Sequence, residues 1–154
     1  SDSDFDSVKQ KAEALYETIG DVYCPYLKTN IAFNAKGLRH LKFKLDRVAR
    51  TSHDQYARLK LLHLAPRVLQ LSNTLQGVWE TRRFESIKSN SRWDHIAVDV
   101  SYYEFIAVMD SVRVKVIVKQ VMGGEKHFWS IIPYWGIDKE NRRRIFHSGN
   151  PHND

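Results

Sequence analysis

Val112, Val114, Val116 and Val118 alternate with Arg113, Lys115, Ile117 and Lys119. Successive side chains of a strand point to opposite faces, so this run predicts a strand with one apolar and one basic face. Asp110-Ser111 before it and Gly123-Gly124 after it are turn sequences, which places the strand inside an antiparallel meander. The aromatic and β-branched stretch from Tyr102 to Met109 predicts the strand before it. His127 to Tyr134 predicts the strand after it, stopped by Pro133 and Gly136. A further strand is expected from Val78 to Phe84, whereas Ser86 to Val100 reads as a loop with some extended structure.

The N-terminal half has a different period. Phe5, Val8, Ala12, Leu15 and Ile19 recur at spacings of three and four, which predicts a helix from about Asp4 to Gly20, with Gly20 as its stop. Cys24-Pro25-Tyr26 is a break. Ile31-Ala32-Phe33 reads as a short strand, and Asn34 as the cap of a short helix with Leu38 and Leu41 on one side. Ser52 and Gln55 form a capping-box pattern, opening a helix that turns Tyr56, Leu59 and Leu62 inward. Pro66 ends that helix or opens a second one through Val68, Leu69 and Leu71. Helices segregated from strands predict an α+β fold, with N-terminal helices packed on the valine face of a small antiparallel β-meander. The opposite sheet face is expected to stay partly exposed. The expected organisation is an N-terminal helical extension over 1–28, a main domain over 29–137 and a basic polar tail over 138–154.

At 154 residues the chain suits one domain with its own core. Its single cysteine, Cys24, excludes an intrachain disulfide and a cysteine-based zinc site, which fits a reducing, cytoplasmic setting. No apolar run approaches the ~18 residues that span a bilayer. The acidic start Ser1-Asp2-Ser3-Asp4 is the opposite of a secretory signal, so no membrane partner is expected. The missing initiator Met marks a processed chain or a fragment. Lys and Arg total 24 against 18 Asp and Glu, a formal net charge of +6. That balance points toward a polyanion, nucleic acid above all.

The positive residues are clustered. Lys42, Lys44, Arg47 and Arg50 form one run, Arg113, Lys115 and Lys119 share a strand face, and Arg142, Arg143 and Arg144 lie in the tail. The 78–84 strand is expected to add Glu80 and Arg82 to the basic sheet face. The last strand adds either His127 with Trp129 or Phe128 with Ser130. Cations that bind phosphate, beside an aromatic ring such as Trp129 that stacks an unpaired base, suit RNA. RNA also supplies its own nucleophile, the 2′-hydroxyl, so cleavage needs a base, an acid and cations but no metal or other cofactor. A solvated sheet face is the plain alternative. His40, beside the basic run, is an acid–base candidate near neutral pH. Asp94-His95 and the pair His147 and His152 lack a recognised metal-ligand spacing, and the tail histidines are expected in a mobile end. No Gly-x-Ser-x-Gly elbow surrounds Ser130.

Gly37-Leu38-Arg39-His40-Leu41, the helices after Ser52, Trp79-Glu80-Thr81-Arg82, and Lys119 with His127-Phe128-Trp129-Ser130-Ile131-Ile132-Pro133 together resemble the phage- and mobile-element-associated barnase–EndoU–colicin–RelE-like nucleases. The resemblance covers roughly 31–136. It implies a metal-independent, toxin-like endoribonuclease that yields a 2′,3′-cyclic phosphate, with RNA as substrate and an antitoxin or immunity protein as a possible partner. It also implies that His40 or Glu80 exchanges the proton, that Lys119 and Arg82 stabilise the phosphorane, and that Ser130 holds a phosphate oxygen. A non-catalytic nucleic-acid-binding module and a basic protein-interaction or inhibitor domain are the other two readings.

Overall fold

The computed structural model describes residues 2–44, 47–134 and 148–154. Among these, the elements are α1 (Asp2–Ile19), β1 (Asp21–Cys24), β2 (Thr29–Ala32), α2 (Ala35–Lys42), α3 (Ser52–Leu61), a 3-10 turn (Leu62–Leu64), α4 (Ala65–Leu71), β3 (Gly77–Ser89), β4 (Arg92–Met109), β5 (Val112–Val121) and β6 (Lys126–Pro133). The fold is α+β. Its sheet has six strands in the order β1-β2-β6-β5-β4-β3. β3 to β6 form the expected antiparallel meander, and β2 joins β6 in parallel at Ala32 and His127, which makes the sheet mixed.

Several local expectations are met. Gly20 ends α1 at φ +64, a conformation that costs glycine nothing. The Asn34 side chain accepts from Lys36 N and caps α2. Pro66 opens α4 rather than ending α3.

Other expectations are corrected. β1 forms between Gly20 and Pro25, where no strand was expected, and pairs along its length with β2. The cap of α3 is Thr51, whose hydroxyl accepts from Asp54 N, not Ser52. Gln55 instead donates from its side chain to the Arg50 carbonyl. The stretch from Ser86 to Val100 is not a loop: β3 and β4 pair without interruption from Gly77–Glu104 to Ser89–Arg92. Asn90 and Ser91 turn the hairpin with φ of 50° and 63°, the left-handed pair that a two-residue hairpin turn requires.

The centre of the sheet is buried on both sides. One face packs against the helices through Val114, Val116, Val118, Phe128 and Ile131 with Leu59, Leu62 and Leu69. Tyr16 of α1 and Val22 of β1 belong to the same core. The other face carries a smaller cluster of Val98, Val100, Tyr102, Ile117 and Trp129. The expected exposed basic face is therefore largely covered: Lys115, Ile117 and Lys119 are all buried.

The β3–β4 ribbon supplies part of that cover. Trp79 lies level with Tyr102, which lies level with Lys119. Six positions further along β3, roughly 20 Å on a straight strand, Glu85 nevertheless meets Lys119 at 2.8 Å. The ribbon therefore bends back over this face.

α2 sits close on β6 because Gly37 has no side chain. A Cβ there would lie 2.4 Å from the Phe128 carbonyl oxygen and 2.7 Å from the Tyr16 hydroxyl. Glycine to alanine inside an exposed helix normally stabilises by about 1 kcal/mol. Gly37→Ala is expected to do the reverse, destabilising by about 1–3 kcal/mol through overpacking, as read from urea denaturation.

Candidate functional site

β6 carries one extra residue. Ile117 pairs with Ser130 and Val118 with Phe128, so Trp129 is inserted between them as a β-bulge. A bulge re-aims side chains. Phe128 stays in the helix-side core, whereas Trp129 joins Ile117 and Tyr102 on the opposite face. Ser130 lies level with Ile117 and His127 level with Lys119. His127, Trp129 and Ser130 thus share a face, an arrangement that neither alternative from simple alternation contained.

Trp129 is the centre of a cluster of basic rings and cations. The His40 ring stacks on it at 3.9 Å and 17°, and the His152 ring at 5.6 Å and 19°. His127 meets it edge-on at 6.2 Å. Lys119 Nζ stands 4.2 Å from the ring centroid. His152, expected in a mobile tail, is buried: its Nδ1 bonds the Tyr102 hydroxyl, and its carbonyl accepts from Trp129 Nε1 at 3.3 Å.

The histidines differ in what their nitrogens do. His40 Nε2 is 3.0 Å from Arg50 Nη2, and Arg50 Nε donates to the His40 carbonyl at 2.8 Å. Burial, then the Arg50 charge, holds His40 well below the usual imidazole range. Its acceptor nitrogen is thereby occupied. His152 is pushed down to about 3, first by burial and then by Lys119. His127 is pushed down to about 4 by burial and then by Lys119, with the Glu125 carbonyl accepting from its ring and opposing the shift. Its Nε2 is buried and has no hydrogen-bond partner among the described residues. Burial lowers Lys119 as well, while Glu85 holds its charge in place.

His40, His127, Lys119 and Trp129 lie along a cleft of about 740 Å³. α2 and the segment after it contribute Lys36, Arg39, His40, Phe43, Lys44 and Arg47. The sheet contributes Lys119, His127 and Trp129, and the β3–β4 ribbon contributes Phe84, Glu85, Trp93 and His95. Glu85 is the one carboxylate among the described lining residues, and it pairs with Lys119.

Of the residues expected to act, His40, Lys119, Trp129, Lys44 and Arg47 line this cleft. Glu80 and Arg82 do not. The register puts Thr81, Arg83 and Glu85 on the Lys119 face and turns Glu80 and Arg82 to the other side. Arg82 is exposed and pairs with Asp99 at 3.3 Å. Lys42 pairs with Glu13 at 3.0 Å. Arg113 is exposed with its guanidinium over the Tyr134 ring, and Lys115 is buried and paired with Glu104. Arg142, Arg143 and Arg144 lie outside the described residues, as does His147.

Arg50 and Ser130 belong to a buried polar network rather than to an open phosphate site. Asp54 Oδ1 accepts from Arg58 Nε at 2.6 Å and Asp54 Oδ2 from Arg50 Nη1 at 3.4 Å. Arg58, fully buried, donates onward to Ser130 Oγ at 2.7 Å and to the Asp154 carbonyl, which also accepts from Ser130 Oγ at 2.6 Å. Sequence reasoning missed Arg58, Glu85, Lys36 and Arg39. Two-residue spacing back from Lys119 across the sheet would have found Glu85 only if β3 had been extended beyond Phe84.

Compared with protein-family models, curated proteins and solved structures, the chain matches none. No helix among the described residues is long and apolar enough to cross a membrane, and no group of three or more acidic, His or Cys residues among them is arranged to hold a metal ion.

Two outcomes follow from the site. Asp54→Ala removes the carboxylate that buried Arg50 and Arg58 share, and is expected to destabilise by about 3–5 kcal/mol, measured by urea denaturation. The second concerns acid. His127 and His152 bind protons near pH 6.5 when unfolded but only near 4 and 3 when folded. The unfolded state therefore binds more protons below pH 6.5, so stability falls as pH drops from 6.5 toward 4. Chemical denaturation at successive pH values is expected to show that slope, and His127→Gln or His152→Gln to flatten it.

Proposed function

We propose that this chain binds RNA in the basic cleft and cleaves it without a metal ion, by attack of the 2′-hydroxyl on its own phosphodiester. The observation that carries the reading is His127 Nε2: a buried acceptor with no partner among the described residues, on a ring kept neutral by its surroundings, beside the Lys119 ammonium. A neutral imidazole takes a proton at physiological pH, and a buried cation stabilises developing charge better than an exposed one.

In this reading His127 Nε2 removes the 2′-hydroxyl proton as the oxygen attacks phosphorus. Lys119 balances the extra negative charge of the phosphorane. It also supplies the proton to the departing 5′-oxygen, a transfer eased because burial already weakens its hold on that proton. The products are a 2′,3′-cyclic phosphate and a 5′-hydroxyl. Lys36, Arg39, Lys44 and Arg47 hold the flanking phosphates. The proton-exchange role thus passes from His40 to His127, because His40 Nε2 already accepts from Arg50. His40 becomes a positioning residue that props Trp129. The family resemblance adds a toxin-like role in the cytoplasm, with an antitoxin or immunity protein covering the cleft.

Labelled single-stranded RNA in EDTA tests the reading. Wild-type protein is expected to produce 2′,3′-cyclic ends. His127→Gln and Lys119→Met are expected to slow cleavage by about 100-fold or more, and Glu80→Ala and Arg82→Ala to leave it within about twofold. Salt-dependent binding with intact RNA at high protein concentration would reassign the cleft to binding alone.

A further inference from the structure

Trp129 is the ring that the sequence offers for base stacking, and the fold has used it up. It is 8% exposed, with His40 and His152 stacked on it and Lys119 over its face. Other rings at the same cleft are open. Phe84 is 67% exposed and Trp93 65%. Both sit on the β3–β4 ribbon, where it runs beyond the last pairing of β4 with β5 at Val100 and Val121, on the ribbon face opposite Glu85, and line the cleft from there. Phe84 stacks in parallel on His95 at 5.6 Å and 8°, so the ribbon presents a supported flat ring rather than a loose one.

We infer that the β3–β4 ribbon is the base-stacking wall of the cleft, and that its occupant is the unpaired bases of a single-stranded polynucleotide. This rests on the nucleic-acid reading of the cleft and adds the strandedness of the ligand. Exposed rings by themselves would equally suit an apolar protein surface. What selects nucleobases is the charge around them: Lys44 and Arg47 line the same cleft, and its one described carboxylate is already paired with Lys119. An apolar protein face would leave those cations without counter-charge, whereas a polynucleotide supplies an anion and a flat ring at every step. In a duplex the faces of the bases are stacked on one another and cannot reach the rings.

Fluorescence anisotropy on the full chain tests this, with three probes in EDTA: a mixed-sequence single-stranded DNA, which lacks the 2′-hydroxyl and stays intact; the same sequence as a duplex; and inorganic polyphosphate, which has charge but no bases. Wild-type protein is expected to bind the single strand at least tenfold more tightly than the duplex. Phe84→Ala and Trp93→Ala are each expected to weaken single-strand binding by about 5- to 100-fold and to leave polyphosphate binding unchanged. Equal loss on the single strand and on polyphosphate, or no loss on either, would overturn the inference while leaving the nucleic-acid reading intact. Failure to bind any nucleic acid would overturn both. Self-association of the wild type that both substitutions abolish, with single-strand affinity unchanged, would assign the rings to a protein interface and overturn it as well.

Discussion

One inserted residue in β6 governs where every group of the cleft stands. Without the bulge at Trp129, strict alternation would send either Trp129 or Ser130 into the helix-side core. With it, Trp129 turns onto the second face of the sheet while Phe128 and Ile131 keep their places in the first. A large ring on that face then needs cover, and His40, His152 and Lys119 provide it. The basic cleft is in this sense a by-product of burying one indole.

Burial also determines what the charges are able to do. A solvated lysine and a solvated histidine titrate near their ordinary values and interact weakly through water. Here Lys119 and His127 are nearly inaccessible, and after burial itself the Lys119 charge disfavours protonation of His127. The fold sustains this with few carboxylates: Glu85 answers Lys119, Glu104 answers Lys115, and Asp54 answers both Arg50 and Arg58. Removing one partner of such a set costs far more than the pair itself contributes, because the remaining charge stays buried.

Elements with strong local signals were legible in the sequence. The valine alternation located β5, the spacing of Val8, Ala12 and Ile19 located α1, and Asn34 and Pro66 marked the starts of α2 and α4. Features set by distant partners were not. β1 is too short to show a period and exists because β2 pairs with it. The turn at Asn90-Ser91 lacks the glycine that usually announces such a turn, so the ribbon looked like a loop. The bulge leaves no mark on composition, and because of it simple alternation does not place His127, Trp129 and Ser130 on one face. Lys119 is legible because its own strand alternates, whereas which face of β3 meets it depends on a cross-strand register that the sequence does not display, so Glu80 and Arg82 stand on the wrong side and Glu85 on the right one. His152 looked like a tail residue, since only the folded chain brings it to Tyr102.

The contacts of the buried polar network join positions far apart along the chain: Arg58 with Ser130 over 72 positions, and Arg50 with the Asn153 carbonyl over 103. Closing such loops costs chain entropy before any contact repays it. The helices and the β3–β4 and β4–β5 hairpins can form from nearby residues, whereas the parallel junction of β2 with β6 joins Ala32 to His127 and waits for every strand between them. During synthesis, the seat of His127 therefore comes together after the helices and both hairpins. Until β6 pairs with β2 the ring of His127 has no seat, a delay built into the topology itself.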